Sequence, residues 1–159
     1  MSFKKFALVA SVFALAACGG KSESAPAEET AAAPAVETAP AAAPATVTGT
    51  THEIKMIGDE KGYRFEPANL TVKTGDAVKY VFVSGGPHNV AFEGAALSAD
   101  VKKQLDANFS AKMAELSSNM MLNAGESVTV SFAGIPAGKY PFNCTPHLAM
   151  NMKGVITVE

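Results

Sequence analysis

Cysteine, histidine and methionine lie close together near one end of this chain, and they are the side chains best equipped for chemistry. In Tyr140-Pro141-Phe142-Asn143-Cys144-Thr145-Pro146-His147 an imidazole stands three positions after a thiol, and Pro146 stiffens the turn between them. Met150 and Met152 follow at once. A second histidine, His88, comes from a distant loop, Gly85-Gly86-Pro87-His88-Asn89. A thiolate, two imidazoles and a thioether make a soft nitrogen–sulfur donor set. Zinc seldom takes methionine, whereas two histidines, one cysteine and a weak axial methionine suit copper. Each residue alone has a plainer account. A Cys-x-x-His pair arises by chance, a lone loop histidine is often only hydrogen-bonded, and a single methionine is more often core. Together, on loops at the ends of expected strands, they favour a metal site.

Bringing such side chains to one point needs short strands whose loops gather at one end. His52 to Ile57 begins as an alternating strand, and Leu70 to Lys73 is a second short run. Ala77 to Val83 is apolar on both faces, as a central strand would be. Glu126 to Phe132 puts Val128, Val130 and Phe132 on one side, and Gly154 to Glu159 supplies a last strand. Short strands punctuated by Gly, Pro and Asp predict an all-β sandwich or barrel. Ser98 to Leu116 departs from this pattern. Val101, Leu105, Phe109, Met113 and Leu116 mark one face of a helix, with Ser98 placed to cap it and Asp100 in its first turn. One inserted helix over about 98–117 is expected, covering the core.

The chain has 159 residues, of which 48% are hydrophobic and 18% charged, but much of the apolar count is alanine in the first fifty positions. The 109 residues from Thr51 to Glu159 suit one compact domain. A net charge of −2 excludes a nucleic-acid partner held by electrostatics. Three histidines and two cysteines exclude a large catalytic metal cluster and a disulfide framework. At the other end, Lys4 and Lys5 precede an apolar run from Phe6 to Ala17, too short to span a bilayer. The run ends in Leu15-Ala16-Ala17-Cys18, which resembles the bacterial lipobox, where cleavage precedes a cysteine that takes a lipid. An ordinary signal cut at Ala16 or Ala17 would leave Cys18 a stray thiol. The resemblance implies a lipoprotein signal peptide over 1–17, lipidation at Cys18, and an exported, membrane-anchored protein. It would face the periplasm, from the outer membrane in a Gram-negative cell, or the outer face of the cytoplasmic membrane. Within 18–50, the stretch from Lys21 holds eleven alanines, four prolines and four glutamates, which predicts a disordered tether. Cys144 is then the only thiol of the exported domain.

From about Thr51 to Glu159 the chain resembles the cupredoxins, and within them the plastocyanins. The resemblance is carried by Tyr63-x-Phe65-x-Pro67-x-x-Leu70-x-Val72-x-x-Gly75-Asp76-x-Val78, by Pro87-His88-Asn89-Val90, by Tyr140-x-Phe142-x-Cys144-Thr145-Pro146-His147, and by Met152-x-Gly154. It implies a Greek-key β-sandwich holding one copper ion, Cu(I) or Cu(II), on His88, Cys144, His147 and Met152. It implies a one-electron carrier rather than an enzyme, monomeric, with redox partners. These would be c-type cytochromes, a cytochrome bc-type complex, a reaction centre, or a terminal oxidase or reductase. Asn89 is expected to clamp the ligand loops, and the outer edge of His147 to lie exposed in a docking patch of Pro146, Leu148 and Met150.

Some positions depart from the plastocyanin pattern. Leu148-Ala149-Met150-Asn151 replaces a glycine-rich stretch and looks more like pseudoazurin, which keeps the same ligand spacing. Amicyanin places its methionine six past the cysteine, which would nominate Met150, but Met152 abuts Lys153-Gly154 as in the longer loop. Asn143 stands where an aromatic residue is expected, and eleven acids against ten bases in the domain leave no acidic patch for a plant-like photosystem partner. A periplasmic copper carrier or storage protein would use similar ligands with more methionines, and Met120-Met121 and Met150-x-Met152 are its foothold here. A cysteine hydrolase built on Cys144 and His147 would leave His88 and Met152 without a role.

Overall fold

Alternation of apolar and polar residues decides which face each strand buries. On β1 (Thr51–Asp59) Ile54 and Met56 turn inward while Glu53 and Lys55 face water. The computed structural model describes residues 42–159, so the signal peptide, Cys18 and most of the predicted tether lie outside the described residues. β2 (Gly62–Glu66) and β3 (Asn69–Val72) follow, and β4 (Ala77–Phe82) buries Val78, Tyr80 and Phe82. The remaining strands are β5 (Ala91–Phe92), β6 (Lys112–Ala114), β7 (Ser117–Ser118), β8 (Ser127–Ser131), β9 (Gly138–Asn143) and β10 (Lys153–Val158). They form two sheets, ordered β2-β1-β4-β8 and β3-β10-β9-β5-β7-β6. The first mixes parallel β1–β4 with antiparallel β1–β2 and β4–β8 pairs. Facing apolar surfaces make the two sheets a sandwich.

Phe142 on β9 is the hub of the core. Its ring centroid lies 4.7 Å from Phe65, 5.3 Å from Tyr80 and 5.7 Å from Phe92, so it touches strands of both sheets. Such edge-to-face and tilted pairs add directionality to apolar burial. Two residues later the same strand delivers Cys144. The sequence does not announce β9, because Pro141 interrupts it and proline is rare in central strands. The Pro141 carbonyl accepts the Glu93 N–H at 2.9 Å, so the missing N–H of Pro141 also faces β5. β5 has already ended at Phe92, so the one reciprocal bond that Pro141 cannot make falls beyond that strand.

The predicted helix over 98–117 is realised only as α1 (Ala99–Ala107), and the second half becomes strand. Ser98 caps the start as expected, its Oγ accepting Val101 N–H. Asn108 stops the helix. Its buried side chain donates to the Ser131 and Ala133 carbonyls and accepts from Gln104 Nε2 and Ala45 N–H. Phe109 then reaches the core by bridging Val130, and Met113 is 61% exposed rather than on a packed helical face. Tertiary bonds outweigh the helical period here. No helix among the described residues is long and apolar enough to cross a membrane.

The chain also engages the domain before Thr51, the predicted end of the tether. Ala43 O accepts Gln104 Nε2, Ala45 N–H donates to Asn108, and Thr48 and Gly49 N–H donate to the Gly75 carbonyl. Asp76 completes this end. It accepts Thr50 N–H at 2.8 Å and Lys73 N–H at 3.0 Å, and it pairs with His52 Nε2 at 2.8 Å. His52, chiefly, and these two amides hold the Asp76 carboxyl down at about 2.

Two predictions follow from these groups. A folded-state value below the ordinary 3.8 means that Asp76 stabilises the fold above that pH and ceases to as pH falls through about 2. Thermal midpoints of the metal-free Asp76→Asn variant should therefore be lower than wild type near neutrality and flatter between about pH 4 and 2. The Tyr80 hydroxyl is fully buried with no hydrogen-bond partner, the one such side-chain group among the described residues. Tyr80→Phe should raise unfolding free energy by about 1 kcal/mol in denaturant titrations, and a loss of that size would mean that the hydroxyl has a partner.

Candidate metal centre

Cys144 leaves β9 and opens a 3-10 turn over Thr145–Met150, with Pro146 in its first turn. The His147 N–H donates to the Cys144 carbonyl at 3.1 Å. Residues three apart eclipse in such a turn, so the spacing puts both side chains on one side. Cys144 Sγ and His147 Nδ1 lie 3.3 Å apart. Asn151 ends the turn at φ 62, a left-handed conformation that asparagine tolerates. The chain then doubles back. Met152 N–H donates to the His147 carbonyl at 3.2 Å and Cys144 N–H to the Met152 carbonyl at 3.1 Å.

His88 arrives from the loop after β4. Gly85, at φ +73, packs so closely on β1 that an added Cβ would lie 2.3 Å from Gly58 Cα, which only glycine permits. His88 exchanges two backbone bonds with Met121, at 3.0 and 2.8 Å. Its Nε2 lies 2.8 Å from the Ser84 carbonyl, which can only accept. Nε2 therefore carries the proton, and the Nδ1 lone pair faces Cys144 Sγ at 3.5 Å. The edge of Phe82 supports the ring at 4.9 Å. Asn89 joins the two loops: its Oδ1 accepts Thr145 N–H at 2.7 Å, and its Nδ2 donates to Thr145 Oγ1 at 3.2 Å and Ser117 Oγ at 3.1 Å.

The ligand atoms of His88, Cys144 and His147 all lie within 4.8 Å of one another. His88, Cys144 and Met152 are wholly buried, and His147 is 5% exposed. Burial lowers both imidazoles from their usual range, against the Ser84 carbonyl at His88 and with the neighbouring His88 at His147. Burial pushes the Cys144 thiol up, opposed by the Asn89 and His147 amides. Neutral imidazoles keep their lone pairs for a metal, and the thiol must give up its proton to one. This buried set of one sulfur and two nitrogens fits a single copper ion by donor softness. Met152 lies in the same core cluster as Cys144, whereas Met150 is 57% exposed.

Pro146, Leu148 and Met150 are exposed around this turn, Leu148 at 43%. His147 Nε2 makes no hydrogen bond to another described residue, and His147, 5% exposed, is the one donor residue of the three with any accessible surface. Sequence reasoning missed three supports: the Ser84 carbonyl, the Met121 backbone, and the Tyr63 ring stacked on His147 at 3.7 Å. Tyr63 stands within the motif-bearing stretch, but nothing local shows that β2 ends beside the ligand turn. A backbone carbonyl such as that of Ser84 leaves no compositional trace.

A profile of the family described as "Copper binding proteins, plastocyanin/azurin family" matches residues 52–159. The plastocyanin of Nostoc punctiforme is 34% identical over 118 residues, 72% of this chain and 78% of that protein. The plastocyanin of Dryopteris crassirhizoma is 35% identical over 105 residues, 65% of this chain and 96% of that protein. The oxidised structure of plastocyanin from that fern superposes with a TM-score of 0.53 at 31% identity, over 67% of this chain and 99% of the other. The fold, the convergence of one thiol with two imidazoles, and these likenesses make the chain a member of the plastocyanin/azurin family of copper-binding proteins.

Proposed function

We propose that this protein is a lipid-anchored blue copper carrier that passes single electrons between redox proteins outside the cytoplasm. Its family is one of copper electron carriers rather than enzymes. The observation that carries the reading is the buried meeting of Cys144 Sγ with the Nδ1 atoms of His88 and His147. Copper bound there supplies a one-electron couple, Cu(I)/Cu(II). The chain's part is to hold still. Cys144 as thiolate, His88 and His147 would hold the ion, with Met152, buried in the same core, as a fourth and weaker donor. A donor set fixed by β9, the Asn89 clamp and the His88–Met121 pairing moves little when charge changes, which keeps the barrier to electron transfer low.

His147 is the ligand that reaches solvent, and the exposed apolar side chains around it are the docking patch. Apolar contact there excludes water and shortens the path between redox centres. With eleven acids and ten bases in the domain, long-range steering is modest and the patch carries recognition. Partners of matching kind are c-type cytochromes, a cytochrome bc-type complex, a reaction centre, or a terminal oxidase or reductase. Tethering through Cys18 is consistent with where the chain enters the domain. Thr50 meets Asp76 at one end of β1, while Gly58 meets the His88 loop roughly 26 Å along the strand. An anchor attached at the first pole leaves the copper pole free.

The absorption spectrum tests the reading. Oxidised protein loaded with one copper should be intensely blue from sulfur-to-copper charge transfer, and Cys144→Ser should abolish the band. A colourless adduct in wild type would point to a copper carrier instead. Met152→Leu should raise the redox potential by at least roughly 60 mV, a tenfold shift in a one-electron equilibrium, while Met150→Leu leaves it unchanged in voltammetry. The reverse pattern would move the fourth-donor role to Met150.

A further inference from the structure

The two histidines of the site are steadied by different means. His88 is fixed through its far nitrogen, with Nε2 held by the Ser84 carbonyl at 2.8 Å. His147 has no such bond among the described residues, its Nδ1 meeting Cys144 and its ring keeping a little accessible surface. It has a ring instead. Tyr63 on β2 lies face to face with His147, centroids 3.7 Å apart and planes 18° from parallel, and its edge approaches His88 at 6.2 Å. Tyr63 is itself braced. It pairs with Gly58 in the β1–β2 register, and a Cβ on Gly58 would lie 2.6 Å from the tyrosine ring. The ring is therefore pressed between bare β1 backbone and the imidazole.

We propose that Tyr63 is a positioning residue for His147, its stacked face keeping Nδ1 turned toward Cys144 and the metal as the Ser84 carbonyl keeps that of His88. This rests on the copper-carrier reading of the site. The face of the ring does the positioning, so the hydroxyl is dispensable.

The test is the rate at which an excess of a Cu(I) chelator strips copper from the reduced, fully loaded chain. Tyr63→Phe should lose copper within about twofold of the wild-type rate, and Tyr63→Leu about two- to tenfold faster, the range spanned by one aromatic pair. Thermal midpoints of the metal-free variants serve as the control for simple loss of packing. Equal rates for wild type and Tyr63→Leu would overturn the proposal, as would Tyr63→Phe losing copper as fast as Tyr63→Leu. Were Tyr63→Leu unable to fold, Tyr63→Met would be judged by the same two criteria. A wild-type chain that forms no blue copper complex refutes the carrier reading and this role with it, whereas blue protein with unchanged variants refutes the Tyr63 role alone.

Discussion

Three donor atoms meet at one buried end of an apolar core, and that meeting is the constraint from which the remaining structure follows. Unpaired polar groups are expensive to bury. Here a thiol belonging to the apolar core lies against two buried imidazoles, one backed by Phe82 and the other by Tyr63, and each is oriented by a separate device. Cys144 is positioned by a strand whose preceding aromatic residue, Phe142, is gripped from both sheets. His147 is placed by the period of a 3-10 turn, and His88 by a loop that only glycine at Gly85 lets approach β1. Asn89 links the ligand loops with two hydrogen bonds to Thr145 and ties them to β7 with a third, to Ser117, so neither ligand loop moves alone. The site is preorganised by the fold, and a preorganised donor set is what rapid one-electron exchange requires.

The two ends of the sandwich do different work. One end gathers the ligand loops, with Pro146, Leu148 and Met150 outside them. The other ties the entering chain down through Asn108, Gly75 and Asp76. Because the polar network that fixes the entering segment lies a strand's length from the donors, changes at Asp76 alter stability without touching the metal.

Much of the fold was legible because burial imposes a period of two. β1 and β8 stand where alternation puts them, and β3, β4 and β10 where short runs between turn residues do, with ends displaced by one or two residues. β9 was hidden by Pro141, whose consequence depends on where its neighbour β5 stops. The overlong helix came from Phe109, Met113 and Leu116 continuing the apolar spacing. Only the partners of Asn108, from positions 45, 104, 131 and 133, explain why the helix yields at that point. At the site, the three donors were legible from residue type and spacing, since few side chains can bind a soft metal. What orients them was not legible. The Ser84 carbonyl, the Met121 pairing and the Tyr63 stack exist only once distant segments have converged.

X-ray absorption at the copper edge, on the loaded full-length chain in both oxidation states, tests the central claim most directly. A nearest shell of one sulfur and two nitrogens, kept in number and nearly in distance when the ion is reduced, is the predicted result. A shell without sulfur, or one that exchanges ligands on reduction, would contradict the account.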